Sequence, residues 1–293
     1  MRANQTKLNV SIITALFVVL FVLMKFLPDS ECGFLHYEEV INENGEVEFC
    51  ATNSAGFIDL IKLDYPVDLS IDWDHLTSDG TIELKMDGGH FLFPHELAFT
   101  HTKIMHLLLI DQSLSDYHHV HPKPLGIDKT FSFNFSPKMS GTYTVFVEVV
   151  PKRTRRQLIA SGKLEINGKS VAQKFSLKTI DLQGDLQFEL DGVPNELSVN
   201  QDYRFILRVR DSLGIEANLE TIMGAKAHMV AFDSEKRGFA HMHPIDDPLS
   251  DLKENKDLSF LFNVPRKGWY RIFAQVKRNG KPIYAQFDLK VGA

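Results

Sequence analysis

The sequence has few cysteines and no excess of basic residues, and both features limit the classes of function that the protein can have. Its 293 residues include two cysteines, and 32 Lys and Arg against 38 Asp and Glu give a formal net charge of -6. Because phosphate binding relies on clustered Lys and Arg, this balance argues against a nucleic-acid partner. The chain also lacks a Ser-His-Asp set, a phosphate-binding loop and a paired-carboxylate motif. We therefore expect a protein that is not an enzyme.

Helical periodicity is nearly absent after residue 30, and short apolar or alternating runs take its place. Examples are 143–149 and 270–276, and turn signals such as Asn279-Gly280 separate such runs. Several short strands per 100 residues or so, at this spacing of turns, are typical of an antiparallel β-sandwich. The pattern predicts an all-β protein.

The most informative feature that is present is a histidine pattern that occurs twice. His119 and His121 follow His106 by 13 and 15 positions, and a second trio repeats the same spacing: His228, His241 and His243. In both copies the third histidine precedes a proline. A scatter of surface histidines would not repeat in this way, so we look for function here.

The repeat extends beyond the histidines, which predicts two tandem modules of about 100 residues each. Residues 103–111 match 225–233, and the run 141–146 matches 268–273. The predicted domains are an N-terminal membrane anchor or signal segment (1–28), a cysteine-containing linker (29–63), a first β-sandwich module (64–168) and a second (174–293).

The spacing of the first trio predicts that its rings share one face of a hairpin. A register centred between residues 113 and 114 sets His106 opposite His121 and Leu108 opposite His119. Residues that lie opposite each other, or two apart on one strand, share a face. Three imidazoles could then bind one ion at about 2.0 to 2.1 Å. The same construction gives a second site in the other copy: His228, His241 and His243.

Comparison of the copies adds two candidate ligands and favours copper. Five residues before the first histidine stand His101 in one copy and Met223 in the other. Imidazole and thioether both suit copper, whereas zinc seldom binds a thioether, so we expect a copper ion with zinc as the alternative. A polar network without metal stays open for the trios. Asp111 and Asp233 would either orient a ligand histidine or begin a turn.

The repeated motif resembles a known group of proteins. Its order is His, an apolar run, Asp, His-x-His-Pro and then Gly-x-Tyr-x-x-Phe, over about residues 103–150 and 225–276. This order resembles the β-sandwich modules of secreted bacterial proteins linked to copper tolerance, in the cupredoxin-like periplasmic group. The resemblance implies an Ig-like or cupredoxin-like sandwich that binds copper. A blue-copper electron carrier needs a cysteine ligand, which neither module contains. The resemblance therefore implies binding, buffering or delivery of the ion.

The N-terminus predicts a membrane anchor. Arg2 and Lys7 precede an uncharged run over residues 8–24, which as a helix would extend about 26 Å. A cleaved signal peptide is the alternative, although no small-x-small cleavage site precedes Pro28. Positive charge before the run places the modules outside the cytoplasm, so we expect anchoring in the inner membrane with periplasmic modules.

An oxidising compartment would let Cys32 and Cys50 form a disulfide. They lie 18 residues apart, before the first module, and belong to neither repeat. A disulfide would staple this short segment, and two unrelated thiols are the alternative.

Together these observations predict a membrane-anchored, extracytoplasmic protein that binds, buffers or delivers copper through repeated three-histidine sites. The first alternative is a structural or partner-binding β-sandwich protein of the cell envelope that holds no metal. A metal-dependent oxidoreductase is the third hypothesis, but the Glu that a cupin site needs after His-x-His is missing in both copies.

Overall fold

The computed structural model describes residues 2–25, 37–41, 47–51, 57–61, 63, 65–194, 196–245 and 258–292. The chain divides into two compact units, Met1–Phe34 and Leu35–Ala293. The first unit contains helix α1, Arg2–Lys25. Within the described residues, no helix combines the length and the apolar character that crossing a membrane requires, which does not support the anchor expected over residues 8–24.

The second unit is built from antiparallel strands, which confirms the predicted all-β class. A single short 3-10 helix, Pro94–Glu96, is described among them. The strands are β1 (Tyr37–Ile41), β2 (Val47–Ala51), β3 (Ile58–Asp59), β4 (Val67–Trp73), β5 (Asp79–Met86), β6 (His106–Asp111), β7 (Tyr117–Val120), β8 (Lys123–Pro124), β9 (Phe131–Asn134), β10 (Gly141–Val149), β11 (Leu158–Ile166), β12 (Ile180–Gln183), β13 (Leu186–Asp191), β14 (Tyr203–Arg210), β15 (Ala227–Asp233), β16 (Gly238–Met242), β17 (Leu258–Phe262), β18 (Gly268–Arg278) and β19 (Lys281–Val291).

The strands form two sandwiches, as the repeat predicts. In the first, the sheet β4-β5-β9-β8 packs on the sheet β11-β10-β6-β7. In the second, β12-β13-β14-β17 packs on β19-β18-β15-β16-β3. A separate two-stranded sheet joins β1 and β2. Each sandwich has its own apolar core, because the inward side chains of its two sheets interdigitate.

The two histidine-bearing sheets are buried on both faces. In β6, Leu107 and Leu109 enter the core of the first sandwich, whereas Leu108 and Ile110 point to the opposite face, since side chains alternate across a strand. The opposite face packs against the equivalent face of the second sandwich. From that sandwich, this intermodule core takes five buried side chains: Ile58, Val230, Phe232, Phe239 and Phe273.

Aromatic and polar contacts both hold the sandwiches together. The ring of Tyr117 lies 4.8 Å from that of Phe273 and 5.4 Å from that of Phe232, measured between centroids. The guanidinium of Arg271, on β18, donates to the carbonyl of Leu114 at 3.0 Å and pairs with Asp288 at 2.6 Å. This buried, charge-assisted contact joins β18 of the second sandwich to the turn between β6 and β7 of the first.

One strand of the second sandwich comes from the segment predicted as a linker. Ile58 and Asp59, in β3, pair with Phe239 and Gly238 at the edge of β16. A Cβ atom on Gly238 would overlap the backbone carbonyl oxygen of Ile58, so this close approach requires glycine. The chain before the first module therefore contributes to the sheet of the second, which the sequence pattern did not predict.

The cysteines cannot be placed against each other. Cys32 lies outside the described residues, and Cys50 lies in β2, opposite Glu38. The disulfide stays a prediction.

Candidate functional site: a histidine cluster between the modules

The hairpins that carry the two histidine motifs have the register that their spacing predicts. Leu108 pairs with His119 between β6 and β7. In the second copy, Val230 pairs with His241 between β15 and β16. His106 lies two residues before Leu108, and His228 lies two residues before Val230. The first histidine of each motif is therefore on the face that packs against the other sandwich. Both copies therefore direct their histidines toward the other sandwich.

The two motif copies meet in one cluster, although we expected one separate site in each module. Across the boundary, the ring centroid of His241 lies 5.4 Å from that of His106 and 5.2 Å from that of His119. Among the described residues, seven imidazoles join this histidine cluster: His101, His106, His119, His121, His228, His241 and His243.

The first triad is the more compact half of the cluster. His106, His119 and His121 each offer one ring nitrogen, and these nitrogens all lie within 4.8 Å of one another. Ligand nitrogens on a tetrahedral ion lie about 3.3 Å apart, so a small closure would complete such a site. In the second triad the ring centroids of His228 and His241 are 6.0 Å apart. Within the described chain, the first triad is the set of three whose possible ligand nitrogens all approach this closely.

Hydrogen bonds determine which nitrogens of the first triad carry lone pairs. His106 Nε2 donates to the carbonyl of Thr100 at 2.9 Å, because a carbonyl can only accept, and His106 Nδ1 is therefore unprotonated. In the amide orientation in which Gln275 Nε2 donates to Tyr284 Oη at 2.8 Å, its oxygen faces His119 Nδ1 at 3.3 Å and accepts that proton. In this arrangement His119 Nε2 and His106 Nδ1, 3.0 Å apart, both present lone pairs to the same point. A cation between them would relieve the repulsion.

The second triad has a contact equivalent to that of His119 with Gln275, but with a carboxylate in place of the amide. His241 Nδ1 lies 3.3 Å from a carboxylate oxygen of Glu148, whose other oxygen accepts from Gln157 Nε2 at 2.5 Å. Glu148 is paired with His106 across β10 and β6, and Gln275 is paired with His228 across β18 and β15. The two modules thus exchange contacts with approximate two-fold symmetry, with a carboxylate behind one histidine and an amide behind the other.

Sequence reasoning missed both of these polar residues. Glu148 stands two positions after Phe146, and Gln275 two positions after Phe273, each within a run that is otherwise mostly apolar. A polar residue that recurs at the same place in a buried strand was the available signal, because buried polar groups need partners.

Burial keeps six of the seven imidazoles neutral at physiological pH. It lowers the pKa of His106 to about 4 and that of His121 to about 2, chiefly because a charged ring loses its hydration there. The same cause, with the charges of neighbouring histidines, lowers the pKa of four others well below the usual range: His101, His119, His228 and His243. Neutral imidazole is the form that binds metal.

Within the part of the chain that the structure describes, several ring nitrogens of the cluster are buried without a hydrogen-bond partner. Each such group typically costs about 1 to 3 kcal/mol unless it finds a ligand. The nitrogens are His121 Nε2, His228 Nδ1, His228 Nε2, His241 Nε2 and His243 Nε2.

The two weaker ligand candidates occupy equivalent turns. His101 and Met223 both have positive φ, 51° and 48°, at the start of a two-residue hairpin turn. The ring of His101 stacks on that of His243 at 3.5 Å, so it contacts the motif of the other module. Met223 is buried at the matching turn.

Asp111 and Asp233 stand at the same position in the two motif copies, and their contacts explain this locally. The side chain of Asp111 accepts hydrogen bonds from the backbone N–H groups of Ser113, Ser115 and Asp116, and that of Asp233 accepts from the N–H of Arg237. Of the two roles considered, these contacts favour the turn.

A sequence match assigns the chain to a family. Residues 64–161 and 179–293 match the family described as "Domain of unknown function (DUF8832)". The chain belongs to this family. The matched ranges of this DUF8832 protein contain both histidine motifs. No curated protein matches the chain.

Several solved structures are similar to this DUF8832 protein. The BSP domain of a biofilm associated protein is 14% identical, with 78% of this chain and 30% of that chain covered and a TM-score of 0.22. Invasin, a bacterial integrin-binding protein, is 12% identical, with 75% and 39% covered and a TM-score of 0.22. The fibronectin(III)-like modules of Clostridium thermocellum CbhA are 10% identical, with 76% and 95% covered and a TM-score of 0.20.

The chain thus spans 30% and 39% of the first two of these structures. These comparisons show no link to copper, which the resemblance of the motif implied.

Proposed function

We propose that this protein binds a transition-metal ion at His106, His119 and His121, and that it holds or hands on the ion without turning over a substrate. The observation that supports this most is the approach of two buried ring nitrogens, His106 Nδ1 and His119 Nε2, to 3.0 Å within a triad whose ligand nitrogens all lie within 4.8 Å of one another. A bound cation satisfies both nitrogens at once, whereas no single protonation state of neutral rings does so while His119 donates to Gln275.

Copper is the ion that we expect, with zinc as the alternative. Imidazole suits both ions, and copper binds nitrogen ligands more tightly in the divalent series. A location outside the cytoplasm also belongs to this proposal, and it is based on the apolar, N-terminally basic segment of the sequence. Whether that segment attaches the protein to a membrane is part of the same proposal.

The test is metal stoichiometry of the purified full-length chain. Cu(I), Cu(II) and Zn(II) would be added in turn and bound metal measured after removal of the free ion. We expect the double variant His119→Ala with His121→Ala to lose the tightly bound ion. A matched double variant of exposed histidines outside the cluster, His75→Ala with His95→Ala, should retain it. Unchanged stoichiometry in the first variant would contradict the proposal.

A second candidate function has its own supporting observation. The histidine cluster adjoins the intermodule core, where Tyr117 and Phe273 pack at 4.8 Å, so its hydrogen bonds could serve only to hold the sandwiches together. The protein would then be a structural or partner-binding component of the envelope without metal. In that case the same double variant would lower the melting temperature, while added metal ions would leave the wild type unchanged. Oxygen uptake by metal-loaded protein would instead support an oxidoreductase.

A further inference from the structure

We infer that the ion is shared by the two modules, with His241 of the second module supplying a fourth nitrogen to the first triad and Glu148 of the first module positioning it. This inference depends on the proposed function. It replaces two separate sites with one centre that neither module contains alone.

The position of the His241 ring fits a fourth ligand. Its centroid lies 5.4 Å from that of His106 and 5.2 Å from that of His119, while His106 and His119 are themselves 5.3 Å apart. Four imidazoles around a tetrahedral ion, at metal to nitrogen distances near 2.0 to 2.1 Å, have ring centres about 5 Å apart. His241 thus has the same spacing from two members of the triad as they have from each other, and it must approach the third, His121, for all four rings to bind one ion.

The orientation of His241 leaves one nitrogen for the ion. Its Nδ1 faces the Glu148 carboxylate at 3.3 Å, and a carboxylate accepts, so Nδ1 carries the proton. In the tautomer with the proton on Nδ1, Nε2 can bind an ion, and among the described residues this buried atom has no hydrogen-bond partner. A carboxylate that holds the far nitrogen of a ligand histidine is a common arrangement in metal sites, where it orients the ring and raises its basicity.

Glu148 also provides negative charge for a buried cation. Its side chain is 4% exposed. One of its oxygens faces His241 and the other accepts from Gln157, so the carboxyl group is held beside the cluster. A carboxylate at this place offsets part of the charge of a bound ion.

A shared ion has a consequence for the whole chain. His241 lies on β16, whereas the triad lies on β6 and β7 and the segment that follows β7. Full coordination then requires the two sandwiches to be docked, and ion binding stabilises the docked state by mass action. The ion acts as a link between the modules.

The test compares His241→Ala and Glu148→Gln with wild type in the full-length chain. Affinity for Cu(II) would be measured by competition with a chelator, and ligand nitrogens would be counted from the electron paramagnetic resonance spectrum. We expect Kd to rise about 100-fold for His241→Ala and about ten-fold for Glu148→Gln. The number of bound nitrogens should fall by one in His241→Ala, and added imidazole should restore it. His75→Ala, which changes an exposed histidine, is the matched control.

The outcomes separate this inference from the proposed function. If the wild type binds no ion, the proposed function fails. If the wild type binds one and His119→Ala with His121→Ala abolishes binding, but His241→Ala leaves Kd and nitrogen count unchanged, the shared site is wrong and the proposed function stands. Should His241→Ala fail to fold, the isosteric Glu148→Gln decides, because an unchanged Kd there overturns the inference as well.

Discussion

His241 Nδ1 and Glu148 Oε2 lie 3.3 Å apart across the boundary between the two sandwiches, and their side chains are 5% and 4% exposed. The equivalent contact on the other side of the approximate two-fold axis is that of His119 Nδ1 with Gln275 Oε1, also at 3.3 Å. The chief chemical difference between these two contacts is therefore that Glu148 offers a carboxylate where Gln275 offers an amide. We expect the affinity for metal to depend on this difference.

Gln275→Glu should tighten metal binding. The change places a carboxylate behind His119 and so raises the basicity of a ligand that lacks one, and we expect Kd for Cu(II) to fall about ten-fold. Chelator competition measures this. Gln201→Glu makes the same charge change on an exposed residue outside the cluster and should leave Kd unaltered. If Gln275→Glu kept its melting temperature but had a higher Kd for Cu(II), that result would argue against His119 as a ligand.

The chelator-treated protein should lose stability as the pH falls below about 6.5. The unfolded chain binds protons on its histidines near pH 6.5, whereas burial lowers the pKa of His106 in the folded chain to about 4. The unfolded state thus binds more protons in this window, so the free energy of unfolding falls with pH, by about 3 kcal/mol for this one residue. Nearby charges act in opposite directions, since Glu148 raises the pKa of His106 and Lys103 lowers it.

Urea denaturation at pH 7.5 and pH 5 checks this dependence. His121→Asn removes one buried group and should make the difference between the two midpoints smaller, whereas His75→Asn should not. Equal wild-type midpoints at both pH values would contradict the prediction.

Added metal should protect both hairpins of the cluster from hydrogen exchange. A shared ion stabilises the docked state, by about 2.7 kcal/mol at a free concentration of 100 times Kd, so amides of β6 and β15 should both exchange more slowly. Mass spectrometry of peptides from Leu107–Asp111 and Met229–Asp233 measures this. Protection confined to β6 would indicate a site within the first module alone.

Gly238→Ala should displace β3 from the second sandwich. The added methyl group would overlap the carbonyl oxygen of Ile58, and we expect a loss of about 1 to 3 kcal/mol in the free energy of unfolding. Gly88→Ala is the matched control, because nothing lies within 4 Å of its Cβ position. Denaturant titration of both variants measures the difference, and equal midpoints would show that β3 does not hold the edge of β16.

Much of the local structure of the site could be predicted from the sequence. Alternation and turn signals predict strands, and the equal loops between His106 and His119 and between His228 and His241 predict the hairpin register. That register is found, with Leu108 opposite His119 and Val230 opposite His241. A hairpin is determined by residues close in sequence, and a shift of one residue would turn every side chain to the other face.

The tertiary structure decided where those hairpins point. An apolar run such as Leu107–Asp111 has no polar side that marks it as an outer face, so its pattern predicts burial without naming what covers it. The covering surface is the other sandwich, and this contact brings His241 to His106 and Glu148 to His241. Glu148 and Gln275 are distant in sequence from the histidines that they contact, by 93 and 156 positions. Local periodicity carries no information on pairs so far apart, because only the packing of the two sheets creates them.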